Sequence, residues 1–258
     1  MKCACTVRGL SPPPPKPTAS PPLQKKNHPS APLTQRLIYD AGAVAPLVQW
    51  LVDSSKGPPD VAANALSDLA HGHAEMQSDI KDAGSIDPLV AMLELTHPLG
   101  LASQRAAADA LATLAADNSA CQVAIARAGG IPPLVELLKK GKPGCHKDAA
   151  HAVAMLAGDE DNKMQIAHAG GIGPLVALLS TGDSETQRYA ALALEWLASD
   201  CAENQVVLAN EKASAPLVTL LGSDSIETQV SRFWSRDGNS RTPPPPSSFN
   251  SMAYTALL

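Results

Sequence analysis

Residues 121–161 read CQVAIARAGGIPPLVELLKKGKPGCHKDAAHAVAMLAGDED. Three apolar segments follow one another in this stretch. The first ends at Gly129-Gly130, the second begins at Pro132-Pro133, and an alanine-rich third runs from about Lys147 to Ala157. The same unit recurs along the chain, because Pro-Leu-Val begins in steps of 42, 45, 41 and 42 residues, at Pro46, Pro88, Pro133, Pro174 and Pro216. Self-similarity at a fixed period near 40 residues is typical of a helical solenoid.

The period predicts an all-α domain over residues 35–229, with about four complete repeats of three helices each. The repeats are expected at residues 35–75, 76–120, 121–161 and 162–203, followed by a partial fifth at 204–229. In repeat two, Gly84 is expected to end the first helix, and Pro88 lies in the first turn of the second. Its third helix carries small and branched apolar residues at three/four spacing: Ala106, Ala107, Ala110, Leu111 and Leu114.

Two irregularities interrupt the pattern. Repeat two has three extra residues before its third helix, around residues 97–100, and repeat five loses its third helix after Gln229. Gln229-Val230-Ser231 can be encoded by a splice-donor sequence and residues 32–35 by an acceptor, so we interpret the truncation as a splicing or gene-model event. Without that helix the fifth repeat is uncapped, which predicts marginal stability or self-association through this end.

The two tails differ from the repeats in composition. Residues 1–34 contain four consecutive prolines from Pro12 to Pro15, and residues 1–39 carry six basic and no acidic side chains. Residues 230–258 are rich in proline and serine. Such segments bury too little apolar surface to order, so both tails are expected to be disordered. Organellar targeting by residues 1–34 stays open as an alternative to a purely intracellular, cytoplasmic or nuclear, protein.

Composition excludes several classes of function. Five cysteines form no metal-binding spacing, and no apolar run is long enough to span a bilayer. Residues 40–229 hold 24 acidic and 11 basic side chains, a balance of −13, which argues against nucleic acid as the main partner. Paired histidines at His71 and His73 lack further ligands, and His151 lacks a neighbouring nucleophile. We therefore expect no catalytic residue, no cofactor and no metal, and we interpret residues 159–161 as an acidic helix cap.

The repeats resemble armadillo repeats, the family that includes importin α and β-catenin. The matching residues in repeat four are Asn162-Lys163-Met164-Gln165-Ile166, then Ala169-Gly170-Gly171-Ile172-Gly173-Pro174-Leu175-Val176, then Ala190-Ala191-Leu192-Ala193-Leu194-Glu195-Trp196-Leu197-Ala198. The resemblance covers about residues 35–229 and implies a right-handed α-solenoid whose third helices line a concave, ligand-binding face. HEAT repeats, the near alternative, are disfavoured by the recurring Ala-Gly hinge between the first and second helices.

The resemblance makes the third helices the candidate site. Each offers three positions four residues apart, which share one face. These rows are Asp60, Asn64, Asp68; Arg105, Asp109, Thr113; Lys147, His151, Met155; and Arg188, Leu192, Trp196. Importin-type grooves carry Trp and Asn four apart, but here the Trp positions hold Asn64, Asp109, His151 and Leu192, and the Asn positions hold Asp68, Thr113, Met155 and Trp196. Binding of nuclear-localisation signals is therefore not carried over.

The row charges of −2, 0, +1 and +1 predict an ordered polarity of binding. We expect a non-enzymatic scaffold that binds an extended peptide or a partner domain along the concave face, with Trp196 as an aromatic anchor. One alternative is a substrate-recognition adaptor or fragment of a ubiquitin ligase. Another is a membrane-associated armadillo adaptor, with Cys3 and Cys5 as the candidate acylation sites.

Overall fold

The structure is a computed structural model that describes residues 33–221, apart from 54, 56 and 95–99. Within those ranges the chain folds into fourteen α-helices and contains no strand. The helices fall into consecutive sets of three, one set per repeat, and the last set has two described members. Their bounds are α1 Leu33–Asp40, α2 Val44–Val52, α3 Pro59–Ala70; α4 Ala74–Asp82, α5 Ile86–Met92, α6 Gly100–Ala115; α7 Ser119–Arg127, α8 Ile131–Lys140, α9 Pro143–Leu156; α10 Glu160–His168, α11 Ile172–Thr181, α12 Ser184–Ala198; and α13 Ala202–Asn210, α14 Ser214–Leu221.

The predicted all-α solenoid with three helices per repeat is confirmed, and two helix starts are corrected. Helix α1 begins at Leu33, so the last two residues of the expected N-terminal tail are helical. Helix α9 begins at Pro143, four residues before the expected start, because proline suits the first helical position after the extended Lys142. The remaining tail residues, most of the extra segment of repeat two and the break after Gln229 lie outside the described residues.

Glycine pairs make the sharp turn between first and second helices. Gly129 and Gly170 have φ of 75° and 74°, a left-handed conformation that costs a side chain about 1–2 kcal/mol. The following residue is sterically restricted as well, because a Cβ on Gly130 would lie 2.8 Å from Cγ2 of Ile125. It would also lie 3.3 Å from Cγ2 of Val90 in the preceding repeat. The turn therefore fixes the angle within one repeat and the contact with its neighbour.

The third helices form the centre of the solenoid. Helices α3, α6, α9 and α12 pack side by side in chain order, each against the next. Alanines such as Ala107 and Ala150 are fully buried and let these helices approach closely, while leucines such as Leu111 and Leu156 fill the core between the layers. Burying each leucine contributes about 1.5–3 kcal/mol. This packing presents the outer edges of all four third helices on one surface.

First-helix side chains hold the C-terminal ends of the third helices. The last carbonyls of a helix have no partner within it and need donors from elsewhere. Gln77 donates from Nε2 to the carbonyl of Thr113 at 2.9 Å, and Gln122 donates to those of Ala115 and Met155, both at 2.9 Å. Further bonds of the same kind join Asn162 to Leu156 and Asn204 to Leu197. These bonds fix the orientation of the surface that carries the candidate site.

Candidate functional site

The surface formed by α3, α6, α9 and α12, here called the third-helix face, carries all twelve residues predicted from the sequence. Their exposure differs from one row to the next. Asn64, Asp68 and Arg105 are exposed; Asp60, Asp109, Lys147, His151, Met155, Arg188 and Trp196 are half-buried; Thr113 and Leu192 are buried. The twelve positions are therefore not an evenly open groove, and two of them offer almost no surface to a ligand.

The row on α3 is the most accessible. Asp60, Asn64 and Asp68 project from successive turns, and neither carboxylate pairs with a described residue. The backbone beneath them is held in place, because Gln35 Nε2 donates to the carbonyl of Asp68 at 2.6 Å. Two unpaired carboxylates on a rigid helix make this end of the face suitable for a cationic side chain.

The row on α6 is tied to the preceding repeat. Ser67 Oγ donates to Asp109 Oδ2 at 2.9 Å and lies 2.9 Å from Thr113 Oγ1. Thr113 Oγ1 in turn donates to the carbonyl of Asp109 at 3.0 Å. This cluster explains the burial of Thr113 and occupies part of the hydrogen-bonding capacity of Asp109.

An ionic chain crosses the face from α6 to α12. Arg105 Nε donates to Asp148 Oδ2 at 2.9 Å, and Lys147 Nζ lies 3.8 Å from Asp148 Oδ1 and 3.3 Å from Glu185 Oε2. Burial raises the pKa of the Asp148 carboxyl, and the hydrogen bond and charge of Arg105 oppose that rise. Most of the charge on Arg105 and Lys147 is therefore balanced within the protein, which leaves these cations less available to a ligand.

An aromatic pair joins α9 to α12. The rings of His151 and Tyr189 stack with centroids 4.3 Å apart, and Cζ of Arg188 lies 4.3 Å from the Tyr189 ring centroid, within the range of a cation–π contact. Desolvation lowers the pKa of His151 from 6.5 to about 4, partly opposed by the charge of Asp109. His151 is thus neutral near pH 7, so the formal +1 of this row comes from Lys147 alone.

The apolar end of the face is partly built into the core. Trp196 and Met155 are half-buried and pack against core residues, and Leu192 is buried. The aromatic-anchor prediction places the Trp196 side chain on an open groove outside the inter-repeat core. The indole instead offers only part of its ring to a ligand, because Trp196 is half-buried and packs against the hydrophobic core.

Sequence reasoning missed the residues that link one repeat to the next. Ser67, Asp148, Glu185 and Tyr189 lie beside the predicted rows rather than within them, yet they make the cross-repeat contacts. A signal was available for two of them, because Asp148 and Tyr189 occupy the same repeat position, one residue after the cations Lys147 and Arg188. A polar and an aromatic residue at that position indicate lateral pairing.

Among the described residues there is neither a metal-binding cluster nor a membrane-spanning helix. No group of three or more His, Cys, Asp or Glu side chains in ranges 33–53, 57–94 and 100–221 is arranged to hold a metal ion. The helices described there include none with the length and apolar character needed to cross a membrane. His71 lies on an exposed turn, and Asp159 caps α10 by accepting a hydrogen bond from the Asn162 backbone at 3.1 Å, as the acidic-cap interpretation predicts.

Comparisons with known proteins agree with this architecture. The model of the armadillo/β-catenin-like repeat family matches residues 118–157 and 159–199. A designed armadillo repeat protein, solved in complex with the peptide (KR)4, is 26% identical, with a TM-score of 0.68 over 86% of this chain and 84% of that chain. A crystal structure of an engineered protein from the Northeast Structural Genomics Consortium is 30% identical, with a TM-score of 0.67 over 83% of this chain and 95% of that chain. The chain belongs to the armadillo repeat family.

One structural relative of this armadillo protein is longer than the chain. A second engineered protein from the same consortium is 32% identical with a TM-score of 0.70, and the match covers 88% of this chain but 50% of that one. The armadillo chain therefore spans half the length of this relative. No curated protein sequence matches the chain.

Proposed function

We propose that this armadillo protein is a non-enzymatic scaffold that binds an extended segment of a partner protein along the third-helix face. One observation carries the proposal: four third helices lie side by side, and their surface changes from unpaired carboxylates on α3 to cationic and aromatic side chains on α9 and α12. The family supports a role in protein interaction. The designed relative with the (KR)4 peptide provides an example of peptide recognition on this fold.

The proposed site has a defined polarity. Asp60 and Asp68 favour a lysine or arginine of the partner against repeat one, because neither carboxylate pairs with a residue that the structure describes. At repeats three and four, internal pairing occupies Lys147. The accessible part of Trp196 favours an apolar or aromatic side chain of the partner, and Arg188, two helical turns earlier on the same face of α12, favours an acidic one nearby. The aromatic contact should contribute more to affinity than the charges, which solvent and salt screen.

A selection experiment tests the proposed site. The full chain, immobilised, is used to select binders from a displayed library of random linear peptides. Selected peptides should be enriched in Lys or Arg at one end and in an aromatic or large apolar residue toward the other. If the selected peptides showed no enrichment in Lys or Arg, the proposal that repeat one contacts a basic residue of the partner would be wrong.

Charge reversal then locates the basic contact. With a selected peptide, Asp68→Lys should lower the association rate and weaken its dependence on salt, since rim charges act mainly through steering. Asp87→Lys is the matched control, because Asp87 is equally exposed but lies on α5, away from the third-helix face. Equal effects of the two substitutions would indicate a general charge effect and would remove the support for a site on α3.

A further inference from the structure

Each third helix makes lateral contacts with the third helix of the next repeat. Ser67 on α3 donates to Asp109 on α6, and Arg105 on α6 donates to Asp148 on α9. On α12 the corresponding side has no third helix beside it among the described residues, which end with α14 at Leu221. This side of α12 is therefore an unpartnered helix surface at the C-terminal end of the described repeats.

Glu195 distinguishes this surface from the equivalent ones. Aligned on the last leucine of the third helix, Glu195 holds the place of Ser67, Ala112 and Ala154 in the earlier repeats. Those three residues are 6%, 0% and 1% exposed, and their small side chains let the next third helix approach closely. A glutamate is longer and carries a charge. The element that covers α12 is therefore expected to differ from a regular third helix.

The carboxylate of Glu195 lacks a described partner. Its side chain is half-buried, and no residue that the structure describes donates a hydrogen bond to it. Burial raises the pKa of Glu195 to about 7. Removing a carboxylate from water is unfavourable, and a cation beside it offsets part of that penalty. The open side of α12 therefore fits a segment that carries an arginine or a lysine.

The chain itself contains such a segment. Residues 232–236, which lie outside the described residues, read Arg-Phe-Trp-Ser-Arg and begin eleven residues after the end of α14. The expectation of disorder for residues 230–258 depends on their proline and serine content. This stretch has no proline and instead places two aromatic side chains between two cations, so it can bury apolar surface and pair with a carboxylate.

The same stretch corresponds in the repeat to the residues opposite Glu195. Trp234 follows the Pro-Leu-Val of repeat five at the same distance as His151 follows that of repeat three. His151 in turn corresponds to Asp109 of repeat two, which accepts the hydrogen bond from Ser67. Because Ser67 holds the place of Glu195, Trp234 corresponds to the residue opposite Glu195. An arginine lies two residues to either side of Trp234.

We propose that residues 232–236 dock on the side of α12 that carries Glu195, with an arginine of the segment paired to the Glu195 carboxylate. The aromatic side chains contribute the apolar contact, and the charge pair orients the segment. The end of the solenoid is then covered from within the chain rather than by a second copy. The rows on α3, α6 and α9 stay open, so this docking does not depend on the proposed peptide-binding function.

Fluorescence quenching of the full chain tests the docking. In the Trp50→Phe/Trp196→Phe variant, Trp234 is the one remaining tryptophan, and a synthetic peptide of residues 222–258 contains the same tryptophan alone. The acrylamide quenching constant should be lower in the full chain than in the peptide by about threefold or more, because a docked indole loses contact with solvent. Circular dichroism checks that the variant keeps its helices.

Charge exchange in the same background locates the contact. Glu195→Arg should raise the quenching constant of Trp234 to that of the peptide, and adding Arg232→Glu and Arg236→Glu should restore the low value. Glu203→Arg is the matched control and should change nothing, because Glu203 is exposed on α13.

Four results would each overturn the proposal. Trp234 might be quenched in the full chain as in the peptide, Glu195→Arg might have no effect, or the charge exchange might fail to restore protection. A quenching constant that falls with chain concentration, together with a sedimentation mass above 26.7 kDa, would show that a second copy covers α12 instead.

Discussion

The imidazole of His151 lies stacked on the phenol ring of Tyr189, with ring centroids 4.3 Å apart. The two rings come from α9 and α12, so the contact bridges repeats three and four. Its environment keeps the imidazole neutral, because desolvation lowers the pKa of His151 to about 4. A cationic imidazole would lie beside Arg188 and Lys147, whose charges oppose protonation further.

This contact predicts a loss of stability in acid. Between pH 6.5 and about 4 the unfolded chain binds a proton at His151 and the native chain does not, so the free energy of unfolding falls as the pH falls. His151 should contribute a loss of about 1–3 kcal/mol between pH 7 and pH 4.5. Urea titrations of wild type and His151→Gln at both pH values give the free energies of unfolding. The loss between pH 7 and pH 4.5 should be larger for wild type, and the difference between the two proteins is the contribution of His151.

The exposed histidine in the turn after α3 provides the control for this experiment. His71→Gln should keep the pH dependence of the wild type, since His71 lies in solvent. If His151→Gln also keeps it, the imidazole is accessible to protons in the native state and the stacked arrangement does not persist in solution.

The Arg105–Asp148 pair predicts a second effect on stability. Arg105→Ala should lower the free energy of unfolding by about 1–3 kcal/mol near pH 7, because Asp148 is buried and, of the cations that the structure describes near it, would retain Lys147 alone, at 3.8 Å. The deficit should shrink in acid, where Asp148 becomes neutral. Adding Asp148→Asn to Arg105→Ala should recover part of the loss, and Arg127→Ala, at an exposed site on α7, should change stability by less than about 0.5 kcal/mol.

Lys212 occupies the turn position that Gly84, Gly129 and Gly170 hold in repeats two to four, and it has a φ of 55°. Lys212→Gly should stabilise the fifth repeat by about 0.5–1 kcal/mol, since glycine adopts this conformation without steric cost. Gly129→Ala, which introduces a side chain at the equivalent turn of repeat three, should destabilise the protein. Thermal unfolding measures both, and a lower melting temperature for Lys212→Gly would show that this turn relaxes in solution.

Ser85 occupies the place of Gly130 and Gly171, and its buried hydroxyl has no hydrogen-bond partner. Ala43 and Ala213 fill the same place in repeats one and five. Ser85→Ala should therefore stabilise the protein by about 0.5–1 kcal/mol by removing an unsatisfied polar group without opening a cavity. If chemical denaturation instead gave a lower free energy of unfolding for Ser85→Ala, the hydroxyl would have a hydrogen-bond partner in solution.

The sequence predicted the parts of the fold that each repeat determines by itself. The stop at Gly84, the first-turn proline at Pro88 and the buried stripe through Ala107 and Leu111 depend on local conformation and helical periodicity, and the structure confirms them. The solenoid itself was predictable because the Pro-Leu-Val unit occurs five times in register. Such units bury their apolar faces by stacking on one another.

Contacts between repeats were less predictable. The spacing of four residues placed Thr113 and Leu192 in the rows, but their burial depends on how closely the neighbouring third helix approaches. The same approach brings Ser67 to Asp109 and Asp148 to Arg105, pairs separated by 42 and 43 residues. The sequence fixes the helix faces, but the rotation of one repeat against the next selects which residues on those faces meet.

Trp196 gives the sharpest test of the third-helix face. Trp196→Ala should weaken binding of a selected peptide by about 2 kcal/mol or more, the loss typical of truncating an aromatic hot spot. Because the ring is half-buried against the core, the substitution should also lower the melting temperature.

Trp50→Ala is the matched control, since Trp50 is likewise half-buried against the core but lies on α2, away from the third-helix face. Calorimetric titration below both melting temperatures should show a loss of affinity for Trp196→Ala alone. Equal losses for both would assign the effect to stability, and wild-type affinity for Trp196→Ala would place the ligand on another surface.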